Sequence, residues 1–590
     1  MKVASDSDLD VHRVLVLDMQ PIDPPVGGGR LRLLGLYHGL GRKLPTTYVG
    51  TYDWPGERFR KHRLSECLAE IDIPLSKEHF AACSKWQSRV GGKTIIDATF
   101  HQLAYLSRDF VEYARSEVRK CDIIVFSHPW VYPIVKDLLR NGEQLIVYDS
   151  QNMEGVLRAG QLDDGAFGTE IVREVAKVEY DLCHQADLIL ACSHDDGELF
   201  HRIYEIPFRK IRVVPNGVFV SQIPAVGEDE KARIKGKLRL DGRPLAIFLG
   251  SLYPPNVEAA NFICRKLAPA LPEVTFAICG GVGQGLGKSP ATQESSNVRL
   301  TGFIEEREKL FYLGAADLAV NPMFSGSGTN VKMFEFMAAG LAILTTPVGA
   351  RGIEGGEDLA FRICTGEDFV EETRKMAKDP RSRRALGNSA RAFVERKYSW
   401  EQISPCLGRL VRRWYSHMGK HRPFFSVIVP ARGREKTSAN LILSLAKQTW
   451  QDFELILVDS GSRGEKYQRE GSALNVMRCC GDRDDIAGSR NLGAFYARGE
   501  VLAFTHDEYE PATNWLAKVR TYFDSDEVAG ILESDGLVRP PVLKTDHVSR
   551  ASLGNIGFDA GTLFVRHEVF RSVNGFEEGA ERKSSQQAGS

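Results

Sequence analysis

Short, mostly apolar segments recur through the first 350 or so residues, with turns and stretches of helical periodicity between them. Residues 13–18 read RVLVLD; 123–126, 145–148 and 188–191 follow, then 245–249 (LAIFL), 274–279, 298–300, 318–320 and 342–345. A strand apolar on both faces must be covered on both, and its alternation with amphipathic helices gives an α/β fold with a parallel sheet between two helix layers. At 590 residues the chain is too long for one core. The series pauses at Gly217–Gly227, after the turn Pro215-Asn216-Gly217-Val218. This spacing predicts one Rossmann-like domain over 1–220 and a second over 221–420. A new pattern opens at Phe424 with strand 425–430 (FSVIVP), helix 440–448 and strand 453–458, predicting a third Rossmann-like domain over 424–580. The polar stretch 581–590 (ERKSSQQAGS) is expected to be a disordered tail.

Composition removes several function classes. A net charge of −1 gives no electrostatic case for nucleic acid as a partner. The eleven cysteines are scattered and no pair has zinc spacing, as expected in a reducing cytosol. The start, MKVASDSDLDVHR, has no apolar core for a signal peptide, and no apolar run reaches the ~18 residues needed for a span. The expectation is a cytoplasmic protein, with peripheral contact at the inner face of the membrane left open.

The richest chemistry lies at 318–340, LAVNPMFSGSGTNVKMFEFMAAG. It reads as strand, glycine-rich loop, then a helix ending at Gly340. The loop Ser327-Gly328-Thr329-Asn330 frees backbone N–H groups at a helix N-terminus, where the dipole favours a phosphate. Lys332 adds a positive charge in the first turn. Glu335, three residues on and on the same face, can accept from two ribose hydroxyls. The bland alternative is a buried helix with a solvated Lys and Glu. Other candidates also follow predicted strands, where open α/β sheets bind ligands: Gly28, Gly29 and Arg30; Gly250, Ser251 and Asn256; and His128. Gly280–Gly283 is expected to shape a pocket for a base. Asn152 and Glu154 are cleft candidates, with helix capping by Asp149 or Ser150 the equal alternative.

Residues 335–340 (EFMAAG) resemble the donor-binding signature of retaining GT-B glycosyltransferases of family 4. Those enzymes carry two glutamates separated by seven residues; Ser327 stands here for the first, and GSGTNVK at 326–332 fits a subgroup reading G-S-G-T-x-x-K. The resemblance implies GT-B, twin Rossmann-like domains facing one another, with helices from 393–417 crossing back to the first. It implies a nucleotide-diphosphate sugar as donor and catalytic roles for Lys332 and Glu335, with neither a protein nucleophile nor a metal cofactor; His128 is added as a catalytic candidate from its place after the third strand, a structural histidine being the alternative. Many relatives hold the diphosphate with an Arg and a Lys near position 250. This chain has only Ser251 and Asn256 there, so backbone N–H groups, Lys332 and Arg30 are left to do it.

From Ser426 the chain resembles the inverting GT-A glycosyltransferases of family 2, in SVIVP (426–430), ELILVDSGS (454–462), GSRNLG (488–493) and ARGE (497–500). This implies nucleotide contacts from Asp459 and from the helix carrying Arg490. Where relatives read D-x-D, this chain has His506-Asp507-Glu508, residue types able to ligate Mn²⁺ or Mg²⁺. The acceptor segment is matched at 561–566 and by NGFEE at 574–578, but the sequence runs only 590 − 578 = 12 residues further, without the family's E-D base. The expectation is an incomplete, silent GT-A domain, unless Glu577 or Glu578 substitutes. The whole implies sugar transfer to a saccharide or lipid-linked acceptor in bacterial polysaccharide assembly. The alternative is a non-catalytic protein with nucleotide-sugar-binding domains.

Overall fold

The computed structural model describes residues 11–162, 165–240, 242–286, 296–326, 328–431, 435–459, 476–480, 485–525, 527–534, 537–538, 543–544, 548–549, 553 and 562–577. Ser327, Gly561, Glu578 and the tail 581–590 lie outside them. The chain forms two compact units, Met1–Leu199 with Val213–Ser416, and Phe200–Arg212 with His417–Ser590.

The first unit contains two sheets. In the first, β1 (Val14–Leu17), β2 (Thr46–Gly50), β3 (Arg60–Arg63), β4 (Leu68–Asp72), β5 (Ile123–Phe126), β6 (Leu145–Asp149) and β7 (Leu188–Ala191) run in the order β3-β4-β2-β1-β5-β6-β7. All neighbours are parallel except β3 and β4. The short β8 (Ile211–Val213) lies where the chain passes from one unit to the other. The second sheet holds β9 (Leu245–Leu249), β10 (Thr275–Cys279), β11 (Val298–Gly302), β12 (Leu318–Asn321), β13 (Ala342–Thr345) and β14 (Arg362–Ile363), all parallel, in the order β11-β10-β9-β12-β13-β14. Alternate residues of β9 enter opposite helix layers: Leu245, Ile247 and Leu249 pack with Phe334 and Phe336, while Ala246 and Phe248 pack with Ile263 and Leu267. This is the two-sided burial that its unbroken apolar sequence demands.

Helix Trp400–Ser416 returns to the first sheet's side and lies on helix Gly28–Tyr37. Glycines allow the close approach: a Cβ at Gly35 would sit 2.2 Å from the Trp400 ring, and one at Gly408 2.2 Å from Leu40 O. Ser404 Oγ donates to Leu36 O at 2.6 Å and accepts from Gly39 N at 3.1 Å. The link between the sheets is tied down by Val218 N donating to Tyr398 O (2.9 Å) and Trp400 N to Val218 O (3.0 Å).

The second unit is built on β15 (Phe425–Ala431), β16 (Phe453–Asp459), β17 (Val476–Cys480), β18 (Val501–Phe504), β19 (Val528–Ser534), β20 (Leu537–Val538), β21 (Leu543–Lys544) and β22 (Thr562–Arg566), in the order β17-β16-β15-β18-β22-β19-β20 with β21 on β19. It is parallel from β17 to β18 and antiparallel beyond. Phe200–Arg212 completes this unit. The buried Arg212 guanidinium donates to Phe495 O at 2.8 Å and Ala497 O at 2.9 Å, satisfying carbonyls at the end of helix Ile486–Tyr496.

Candidate active site

In the second sheet β9 is flanked by β10 on one side and β12 on the other, so the chain winds outward in both directions from the β9/β12 boundary. Ligands of open α/β sheets bind in the crevice that such a reversal leaves at the strands' carboxyl ends. Gly250 and Ser251 follow β9, and the glycine loop follows β12, so topology puts both on that crevice. Asn256 opens helix Pro254–Phe262 and spans them. Its Nδ2 donates to Ser251 O and Oγ, both at 3.2 Å, and its Oδ1 accepts from Lys332 Nζ at 2.7 Å. The Lys332 ammonium lies 4.4 Å from the centre of the Phe248 ring. Burial lowers its pKa from 10.5 to about 7, Glu335 opposing the shift.

Lys332 and Glu335 share a helix face but each has another partner. Glu335 Oε1 is 2.5 Å from Lys309 Nζ, and Lys309 also pairs with Glu306 at 2.9 Å. Burial raises the Glu335 carboxyl and Lys309 pulls it back. Burial likewise works against the Lys309 charge, but Glu335 and Glu306 outweigh it and leave the ammonium above its ordinary value. Glu335 Oε2 has no hydrogen-bond partner among the described residues, so one oxygen is held and the other is open. Lys309, on helix Glu306–Ala315 after β11, carried no sign of this contact in the sequence.

The loop itself needs its glycines: Gly326 has φ 122° and Gly328 φ 68°, where an L side chain is strained. Asn330 occupies the N-cap of helix Val331–Ala338 without a side-chain capping bond; its Nδ2 donates instead to Val348 O at 3.4 Å. The first-turn N–H groups therefore lack a side-chain cap and suit an anion. Gly250 and Gly280 set the base of the crevice, since a Cβ on Gly280 would lie 2.4 Å from Gly250 O.

The first sheet's loops face this one. A Cβ on Gly28 would be 3.4 Å from Val331 Cγ2, and one on Gly328 3.4 Å from Asn152 Oδ1. Gly29 is closed in, its Cβ position 2.6 Å from Gln151 Oε1. Arg30 stays on the first sheet's side, 5.1 Å above Trp54, with Nη1 donating to Pro24 O at 3.4 Å. His128, at the end of β5, places Nδ1 2.8 Å from Asp18 Oδ1 beyond β1 and Nε2 3.9 Å from Glu154 Oε1. Burial works against the imidazolium, but Asp18 and Glu154 prevail and lift its pKa to about 9. Neither Asp149 nor Ser150 caps the helix at Glu154. Glu154 N and Gly155 N donate to the Glu179 carboxylate at 2.8 and 2.9 Å, while Asp149 binds Arg32 (2.7 Å) and Tyr37 Oη (2.9 Å).

In the second unit Asp459 ends β16, half-buried, and buried Arg490 lies 5.8 Å from the Phe576 ring centre. His506 and Glu508 are exposed and Asp507 buried in the turn after β18. Among the described residues no three His, Cys, Asp or Glu gather where a metal ion could sit, so the expected Mn²⁺ or Mg²⁺ ligands do not converge. Consecutive residues in a turn send their side chains to different sides. Glu577 is exposed.

Residues 243–379 match the family model "Glycosyl transferases group 1", and residues 426–547 match "Glycosyl transferase family 2". The chain carries two glycosyltransferase segments in series. The chain is 29% identical over 211 residues (34% of the chain, 55% of the relative) to a GDP-mannose-dependent monoacylated alpha-(1-6)-phosphatidylinositol monomannoside mannosyltransferase of Corynebacterium glutamicum. The chain spans about half the length of the curated relatives it matches. Sucrose-phosphate synthase from Thermosynechococcus elongatus superposes with a TM-score of 0.54 at 15% identity, over 69% of this chain and 99% of that one. Anabaena HepE in complex with UDP and glucose does so at 0.50 and 14%, over 68% and 99%. The first unit therefore has the GT-B fold. No helix among the described residues is long and apolar enough to cross a membrane.

Proposed function

We propose that the first unit is a retaining glycosyltransferase that moves a sugar from a nucleotide-diphosphate sugar to a saccharide or lipid-linked acceptor in bacterial polysaccharide assembly, in the cytoplasm. The observation that carries this is the junction of Asn256, Lys332 and the uncapped start of helix Val331–Ala338 at the β9/β12 crevice. The donor diphosphate lies on the loop N–H groups and Lys332, and the ribose hydroxyls donate to Glu335. The relative whose name gives GDP-mannose as donor and a lipid-borne mannoside as acceptor supports the substrate class.

As the glycosidic bond breaks, charge builds on the leaving diphosphate and the sugar carbon becomes cationic. Fixed donors that are aimed at the leaving group before reaction stabilise this state without reorganising. The acceptor hydroxyl attacks from the face that the diphosphate leaves and passes its proton to the departing phosphate oxygen, which retains the anomeric configuration; product NMR tests it, and inverted product would refute this part. The second unit contributes a nucleotide-sugar site around Asp459 and Arg490, with no step assigned to a metal.

Glu335→Gln is expected to raise the donor KM at least tenfold, about 1.4 kcal/mol, read by release of free nucleoside diphosphate. Unchanged kinetics in a folded variant would remove Glu335 from the site. Because Lys332 and the helix N-terminus meet the leaving-group charge, this release is expected to persist in EDTA; its disappearance, with recovery on adding Mn²⁺, would contradict the proposed mechanism.

A further inference from the structure

Arg351 belongs to none of the sequence motifs described above. It follows the short helix Pro347–Ala350 beyond β13, and its guanidinium lies on the glycine loop. Nη2 donates to Gly326 O at 2.7 Å and to Gly328 O at 3.2 Å, and Nε donates to Gly328 O at 3.3 Å. The plain interpretation is an arginine that ties a loop together. Three observations take it further.

The C=O and N–H of a trans peptide point in opposite directions. With the Gly328 carbonyl turned onto Arg351, the N–H of Thr329 is turned away from it, next to the uncapped start of helix Val331–Ala338. The next residue holds the same loop from its side: Gly352 has φ 76°, and a Cβ there would lie 2.4 Å from Thr329 Oγ1. Finally, among the described residues no carboxylate lies within ion-pair distance of Arg351, and Nη1 has no hydrogen-bond partner. Its charge adds a small part to the field at Asp196, whose carboxyl is raised by burial and Asp195 and lowered by Ser193, Arg32 and, least, Arg351. The crevice thus holds a pinned guanidinium with one edge unused, beside a loop whose other cation, Lys332, is already bonded to Asn256.

We propose that Arg351 is the positioning residue of the phosphate loop: by holding the carbonyls of Gly326 and Gly328 it turns the Gly328–Thr329 peptide toward the distal phosphate of the donor and sets a permanent positive charge beside it. This rests on the donor-binding function proposed for the first unit. A guanidinium suits the task because its rigid fork holds two carbonyls at once and it does not titrate, which an ammonium cannot match.

The test is calorimetric binding of UDP and GDP, and of UMP and GMP, to the full chain and to R351A, R351Q, R351K and K332A. The better-bound diphosphate is expected to lose affinity at least tenfold in R351A and R351Q. The matching monophosphate should change less than threefold, because it lacks the distal phosphate. R351K should recover only part of the loss, and millimolar guanidinium should improve binding to R351A. A purely structural role would weaken both nucleotides equally, or neither, and either result overturns the proposal. If R351A does not fold, R351Q carries the same comparison. If K332A loses diphosphate binding while R351A and R351Q keep it within twofold, only the role of Arg351 falls. If the unaltered chain binds neither UDP nor GDP, the donor function itself falls.

Discussion

Lys332→Ala is expected to lower sugar transfer on the order of 100-fold, about 2.7 kcal/mol, the usual cost of removing one preorganised donor to a developing anion. The site explains why the effect should be large. The ammonium lies half-buried over the face of Phe248 with a single amide oxygen as its strong acceptor, so the protein supplies it little stabilising negative charge before the donor arrives. A diphosphate supplies that charge. Because the free group titrates near pH 7, kcat/KM for the donor should fall as pH rises through about 7, and Lys332→Arg should remove that limb. A pH profile unchanged by Lys332→Arg would contradict the assignment.

The same lysine makes an opposite prediction for stability. Its folded pKa is below its unfolded value, so the unfolded chain holds the proton more tightly. The resulting penalty on the fold is complete below about pH 7 and fades as pH rises toward 10.5. Lys332→Met, which keeps the stem and drops the charge, should therefore raise the denaturation midpoint while abolishing activity, and raise it more at pH 6 than at pH 10.

His128→Ala is expected to destabilise the first unit by about 3 kcal/mol, since it removes the cation paired with buried Asp18 and leaves that carboxylate only Met19 N and Gln20 Nε2 as donors. Here the folded pKa is raised, from 6.5 to about 9. The stabilisation is complete below about pH 6.5 and is lost as pH rises through about 9. Denaturant midpoints for the variant and the unaltered chain should thus converge between pH 6 and pH 9.5. A difference independent of pH would mean that the imidazole only packs against Trp130, 6.0 Å away and nearly parallel to it.

The strands with unbroken apolar sequence were legible to within a residue or two: Ile123–Phe126, Leu188–Ala191, Leu245–Leu249 and Ala342–Thr345 stand where their sequence predicts. Strands β2 to β4 were not. Arg60–Arg63 reads RKHR, a charged surface segment by pattern; it is a strand because it forms the edge of a sheet, where one side meets water and charge is tolerated. In the site, Asn256 and Lys332 were named from their own loops and meet at 2.7 Å. Lys309 and Arg351 went unnamed because neither lies in a motif; their roles come from contacts with residues 26 and up to 25 positions away. Arg212 escaped for the same reason, since its partners Phe495 and Ala497 are more than 280 residues distant.

The most direct measurement of the central claim is nucleotide release by the full chain from a panel of UDP- and GDP-sugars, run beside the double variant Lys332→Ala plus Glu335→Ala. One donor is expected to yield free nucleoside diphosphate, and the double variant, still folded and still carrying an unaltered second unit, to yield none above background. Release that continues at full rate in the double variant would place the chemistry elsewhere and contradict the account.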